Sequence, residues 1–585
     1  MGERASAEGA AKEFREFLRR DWESWLSESP ETATAVGLRD HDDRWTDDSP
    51  QGIARRRRHL EQTAEELGRF SPGSLGGADR LNLRLYRDLV ESARQGLEYG
   101  NDPFPFRFGF PRNLWMPLSQ VDGIHLSAPD VLMMQPRTTT SDYRVLLRRL
   151  GRLPTAVDQT LALLKGGLAR GWAPARVALR TLPEQIAGLV PSDSAKSALL
   201  QPFAEFTTAV PEDERTELLA EAHRLYEREL APTLRRLRGF LEETYLPQCR
   251  ETVGASTLPQ GGEWYRFLVR WETTTELTPE ALHEIGLNEI RRIRVEMEKV
   301  RDATGFEGTL REFAEKLRTD PQFAHPSADA LVDGYRSLAK RIDPELARQF
   351  GRLPRLPYGI LPVPEYRAPA SPTAYYISGA AKTGRPGYFY ANTFDLPARP
   401  SWEMESLTLH EAVPGHHLQL ALMEELEDLP EFRRFSGYTA FIEGWGLYAE
   451  GLGADLGLYR DPYARYGSLV MDAWRSARLV VDTGMHALGW SRDKAIEFLR
   501  DTVAMSETDI IAEIDRYISW PAQALAYKTG QLKLRELRHR AEERLGPGFD
   551  VRAFHDFVLA EGGLPLGILS ELFDEWLASR PPPAG

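Results

Sequence analysis

Cysteine is almost absent from the chain, with one residue, Cys249, among 585. A lone thiol excludes an intrachain disulfide and a cysteine-rich metal site, so the fold must stand on packing and any metal must find other ligands. No apolar run reaches 18 residues, so no stretch reads as a membrane-spanning helix. The opening segment MGERASAEGAAKEFREFLRR is charged throughout and lacks the apolar centre of a secretory signal. From these absences the sequence is expected to be cytoplasmic and soluble, with no membrane partner. Positive charge is also in deficit: 73 Lys and Arg stand against 87 Asp and Glu, a net charge of −14, which opposes binding to nucleic acid.

What is present is a globular composition, 42% hydrophobic, with apolar residues recurring at helical spacing. Phe14, Phe17, Leu18, Trp22 and Trp25 mark one amphipathic face. The run Arg55 to Arg58 is followed by Glu61, Glu65 and Glu66 and reads as a solvated helix face. Six prolines between 98 and 140 predict a long aromatic-rich loop. Two short aromatic runs, Ala374 to Ser378 and Gly387 to Asn392, predict a small antiparallel sheet before a further helical region from about 403. The expected fold is mainly α, with an N-terminal helical lobe over 1–255, a C-terminal lobe over 256–585 bearing the chemistry, and a cleft between them.

The chemistry concentrates in His410-Glu411-Ala412-Val413-Pro414-Gly415-His416-His417, which holds three of the twelve histidines. Neutral imidazole binds zinc-like metals, and a carboxylate beside the first ligand can act as general base towards water. In the usual metallopeptidase helix H-E-x-x-H, the second histidine stands four residues after the first. Here that position is Pro414, which cannot continue the helix ladder, so the helix must kink or bulge. On a straight helix His417 would return to within about 20° of His410 but about 10 Å further along the axis. A bulge at Pro414-Gly415 favours His416 instead, because glycine permits close approach. The reading takes His410 and His416 as metal ligands and keeps His417 as alternative ligand or oxyanion donor. A third ligand is sought in a carboxylate, and Glu443 fits, lying among apolar residues where an unpaired charge is costly. Glu450, two turns on, is expected to orient a ligand histidine.

Further along, Arg478, Asp482 and His486 follow at four-residue steps and share a helix face. His486 and Tyr527 are candidates to stabilise an oxyanion. Arg385, Arg478 and Lys528 could hold a substrate carboxylate, and Glu450 an amino terminus. The strand Gly387 to Asn392, with Tyr390 and Asn392, is expected to be a free edge that pairs with an extended substrate. Other patterns fail: His283-Glu284 has Leu287 where a second histidine belongs, and neither G-x-S-x-G nor a phosphate-binding glycine loop occurs.

HEAVPGHHLQ, FIEGWGLYAE, RLVVDTGMHALGW and RYISWPAQALAYKTGQLKLREL together resemble the bacterial family called domain of unknown function 885. That resemblance implies a zinc-dependent peptidase of the gluzincin type. The sequence departs from the family where it has Pro521-Ala522-Gln523 for Pro-Gly-Gln, and in lacking a secretion signal. More distantly the layout is similar to dipeptidyl peptidase III, whose helix also inserts residues between its histidines and places Gly before the second. The expected function is hydrolysis of oligopeptides or peptide-like amides with one Zn2+ per chain, Glu411 being the base. The rivals are a zinc enzyme acting on a specialised small metabolite amide, and a helical binding protein with a structural metal.

Overall fold

The computed structural model describes residues 2–365, 368, 371–380 and 384–580. Helices dominate, as the 3.6-residue periodicity predicts. The N-terminal face falls as expected: Phe14, Phe17, Leu18, Trp22 and Trp25 are all buried on the helix Gly2–Glu28. Their partners come from both ends of the chain, because one core joins Phe14, Trp25 and Tyr86 to Leu409, Trp445, Phe554 and Phe573. Residues 118–249, with Trp45, build a separate core. The proline-rich stretch after residue 98 is less irregular than expected, since Ile124–Met134 forms a helix despite Pro129. Of the four consecutive arginines, Arg55, Arg57 and Arg58 are exposed, but Arg56 is buried and paired with Asp48 and Asp102, each at 3.0 Å.

The helices that position the site are labelled in chain order: α1 (Gly261–Thr273) and α2 (Pro279–Ala303), then a sheet of β1 (Tyr358–Pro362), β2 (Ala374–Ile377) and β3 (Gly387–Ala391). The sheet is mixed rather than antiparallel. Its order is β1-β3-β2, with β1 parallel and β2 antiparallel to β3. This corrects the expectation that Gly387 to Asn392 is a free edge: β3 is the central strand, its backbone paired on both sides. Phe389 and Ala391 point into the core while Tyr388 and Tyr390 are half-buried, the period of a strand.

After the sheet come α3 (Met404–Glu411), α4 (His416–Glu424), α5 (Thr439–Gly451), α6 (Pro462–His486), α7 (Glu507–Ser519) and α8 (Ala526–Leu545). The expected distortion at Pro414 is a complete break between α3 and α4. Pro414 lacks the amide that would continue the ladder, and the turn brings Gly415 against the end of α3, where a Cβ would lie 2.0 Å from the His410 carbonyl oxygen. Trp445 of α5 pins the turn by donating its indole N–H to the Pro414 carbonyl at 2.8 Å. Almost every residue of α6 is buried, packed along α2 and beneath α3. Among the described residues no helix is long and apolar enough to cross a membrane.

Helices α5 and α8 cross at glycines. A Cβ on Gly530 would lie 1.9 Å from the Ala440 carbonyl oxygen, and one on Gly444 would lie 2.5 Å from the Gly530 Cα. Because backbone rather than a flexible side chain is met, Gly530→Ala is expected to destabilise the protein by about 1–3 kcal/mol or more in denaturant unfolding. Wild-type stability in that variant would contradict the close crossing.

Candidate metal centre

Helix α3 delivers His410 and Glu411 from its last turn, α4 delivers His416 from its first residue, and α5 brings Glu443 across from the other side. His416 Nε2 stands 3.4 Å, and His410 Nε2 3.6 Å, from the same Glu443 oxygen. One ligand atom from each of the three residues lies within 4.8 Å of the others. Zinc bonds of about 2.0–2.1 Å in a tetrahedron place ligand atoms about 3.3 Å apart. The observed spacing therefore fits a common ion, and among the described residues the group numbers three, which would leave a tetrahedral position open if an ion were held there. Gly446 makes room for the arrangement: a Cβ there would lie 2.8 Å from the His410 ring.

Glu450 fixes His410. Its carboxylate accepts from His410 Nδ1 at 2.8 Å and from the Ser406 hydroxyl at 3.1 Å, which turns Nε2 towards Glu443. Arg475, buried on α6, stands 3.6 Å from the same carboxylate. Burial alone would lower the His410 pKa, but the hydrogen bonds to Glu443 and Glu450 outweigh it and push it up to about 9. Burial likewise opposes ionisation of Glu443, yet the neighbouring His416 and His410 hold its carboxyl well below the usual range. Glu411 is buried and has no hydrogen-bond partner among the described residues; burial raises its pKa, with His410 and His416 opposing.

His417 points elsewhere. Its Nδ1 meets the Tyr376 hydroxyl at 2.9 Å, its ring packs on Tyr358, and burial lowers its pKa to about 4. Tyr527 lies beside the cluster, its ring nearly parallel to His410 with centroids 6.4 Å apart. The partner of its hydroxyl among the described residues is Gln523 Nε2, at 3.4 Å. His486, by contrast, is a structural residue. Its Nδ1 accepts from the Ala255 amide and its Nε2 donates to the Tyr517 carbonyl, both at 3.0 Å, while burial holds the ring neutral. Asp482 accepts from the Tyr265 hydroxyl at 2.6 Å and the Ala522 amide at 3.1 Å. That contact steadies Ala522 at a φ of 72°, a conformation that favours glycine.

The expected substrate-binding groups separate in the same way. Lys528 is fully buried between Asp472 at 2.7 Å and Glu289 at 2.8 Å, an interior ion pair. Asn392 uses its side-chain amide to clamp the carbonyls of Ala368, Ser371 and Pro372. Tyr390 stacks on Tyr375 across the sheet, and Arg385 is half-buried at the foot of β3, bridged to Ala380 through its backbone. Arg478 donates to Tyr517 and Glu513 and lies 4.4 Å from the Tyr527 ring centroid, and its buried Nη1 has no partner among the described residues. Sequence reasoning missed Arg475, Ser406 and Trp445. Ser406 stands four residues before His410, a spacing that offered the signal for one of them.

Residues 30–572 match the bacterial protein family of unknown function designated DUF885. The chain belongs to that family. No curated protein matches it. Among solved structures, a putative lipoprotein from Colwellia psychrerythraea superposes with a TM-score of 0.90 at 27% identity, covering 98% of this chain and all of that one. A putative lipoprotein of unknown function from Shewanella oneidensis gives a TM-score of 0.70 at 17% identity over 96% of this chain and 99% of that one, a likeness of fold. The description of these similar proteins as lipoproteins overturns the expectation of a cytoplasmic DUF885 protein without membrane association.

The geometry separates the two adjacent histidines. His416→Ala is expected to lose the metal, and His417→Ala to retain it, when purified proteins are compared by elemental analysis. Loss of metal from His417→Ala alone would contradict the assignment.

Proposed function

We propose that this DUF885 protein is a metal-dependent hydrolase of peptide or peptide-like amide bonds, with one zinc-type ion held by His410, His416 and Glu443. The observation that carries the reading is the three-ligand group beside a buried carboxylate, Glu411, that has no hydrogen-bond partner among the described residues. Three ligands with an open position favour a reactive site over a structural one, which would be closed by four. A zinc-type ion bound there supplies Lewis acidity, which acidifies water and polarises a carbonyl.

The chain's own residues supply the rest. Glu411 takes the proton from the attacking water at its carboxylate and returns it to the leaving nitrogen. Glu450 holds the His410 ring through Nδ1, and Ser406 holds Glu450. The Tyr527 hydroxyl, with one long contact among the described residues, donates to the oxygen that gains charge as the carbonyl is attacked. Of the basic groups offered for a substrate carboxylate, Lys528 is engaged in the interior and Arg478 is buried against Tyr517 and Glu513, so half-buried Arg385 is the candidate.

Glu411→Gln preserves shape and removes basicity. It is expected to keep wild-type metal content while hydrolysis of a mixed peptide library, read by mass spectrometry, falls by about 10²–10⁴-fold. Turnover near the wild-type rate in the metal-loaded variant would remove Glu411 from the mechanism.

A further inference from the structure

The face of α6 that carries Arg478, Asp482 and His486 takes no direct part in the proposed chemistry, yet each of these residues holds the segment that presents Tyr527. His486 Nε2 donates to the Tyr517 carbonyl on α7 at 3.0 Å, and Asp482 accepts from the Ala522 amide at 3.1 Å, in the turn between α7 and α8. Arg478 donates through Nε to the Tyr517 hydroxyl at 2.8 Å and through Nη2 to Glu513 at 3.1 Å. Its guanidinium lies over two rings, Trp474 at 4.3 Å and Tyr527 at 4.4 Å from the centroids. A cation held on a ring face attracts the ring and limits its tilt.

Glu513 joins this group to a second arginine. Burial would raise the Glu513 pKa, but Arg516 and Arg478 outweigh it and lower it to about 2, so the carboxylate is charged. Arg516 donates to Glu513 through Nε at 3.2 Å and Nη2 at 2.9 Å, which leaves Nη1 to donate to Gln523 Oε1, also at 2.9 Å. A guanidinium has no acceptor, so the Gln523 amide can meet Arg516 only with its oxygen. That contact fixes the amide's orientation and turns Nε2 towards the Tyr527 hydroxyl, 3.4 Å away. An amide nitrogen donates and does not accept. The phenol oxygen therefore receives from Gln523, and its single hydrogen has no acceptor among the described residues. At 3.4 Å the contact is long, so it steers the hydroxyl more than it binds it.

We propose that Gln523 is a positioning residue that makes Tyr527 a donor, with Arg516 and Glu513 fixing the amide and Arg478 fixing the ring. The role rests on the proposed hydrolysis, in which Tyr527 donates to the oxygen that gains charge. By offering only hydrogens, the amide keeps the phenol from donating within the protein and leaves its hydrogen for the carbonyl under attack.

Gln523→Glu tests this on the peptide that the metal-loaded wild type cleaves fastest from a mixed library, with rates taken per bound metal counted in the same samples. The substitution keeps the shape and the Arg516 contact, but the oxygen that replaces Nε2 accepts the phenol hydrogen. kcat is expected to fall about tenfold or more with KM within about threefold, because an interaction made in the transition state is lost. In a Tyr527→Phe background, itself slower by about 10²-fold, the same substitution should change kcat by less than about twofold, since no hydroxyl is left to orient. Gln523→Met, which removes the donor, should lower kcat by about threefold or more with the same dependence on Tyr527, and it carries the test if Gln523→Glu does not fold. Wild-type kcat in the Gln523 variants or in Tyr527→Phe, a loss that persists undiminished without the Tyr527 hydroxyl, or an effect confined to KM would each overturn the proposal and leave the hydrolase reading intact. A library left uncut by the metal-loaded wild type would sink that reading, and the role of Gln523 with it.

Discussion

Three carboxylates, Glu411, Glu443 and Glu450, are gathered around one imidazole in the interior of a helical protein. Burying like charges together is costly unless positive charge or hydrogen bonds answer them. His410 answers two of them at once, with Nδ1 on Glu450 and Nε2 towards Glu443. His416 adds a second contact to Glu443, and Arg475 approaches Glu450 from α6. Much of the C-terminal part of the chain can be understood as what holds these groups in place: α6 runs beneath them, α5 crosses α8 closely enough to present Glu443, and Trp445 pins the turn between the two histidine-bearing helices. A divalent cation among His410, His416 and Glu443 would supply the missing positive charge, which is the physical basis for reading the cluster as a metal centre.

The helix break is what permits the ligand pair. An unbroken helix could not bring residues six apart onto one ion, since at about 100° per residue they face roughly 120° apart. Proline ends α3, glycine lets the turn press against the His410 and Leu409 carbonyls, and α4 starts afresh with His416 already facing Glu443. The same turn sends His417 to the sheet, where Tyr376 and Tyr358 receive it. Adjacent histidines thus acquire different surroundings, His416 facing Glu443 and His417 packed on the sheet.

Motif spacing made part of this legible. His410, His416, Glu443 and Glu450 could be read from the chain because ligand chemistry restricts residue type, and Pro414-Gly415 announced the distortion between the histidines. The helical class followed from periodicity. Relations between distant segments were less accessible. Arg478, Asp482 and His486 do share a helix, but spacing says nothing of the Ala255 amide or the Tyr517 carbonyl that engage both nitrogens of His486. Lys528 looked available because its partners Glu289 and Asp472 lie far away in sequence. The centre of the sheet was mistaken for its edge because β1, a short segment ending in proline, does not advertise itself as a strand. Compartment was inferred from an absent signal, and an absence is no positive evidence of where a chain resides.

The central claim is that His410, His416 and Glu443 hold one ion with a position left open. X-ray absorption spectroscopy on protein purified without chelators, with the metal counted in the same sample, tests it most directly. The account predicts about one zinc-type ion per chain, with two imidazole nitrogens and carboxylate oxygen at about 2.0–2.2 Å and a further light ligand from solvent. A metal-free protein that is fully active, or a shell closed by four protein ligands, would contradict it.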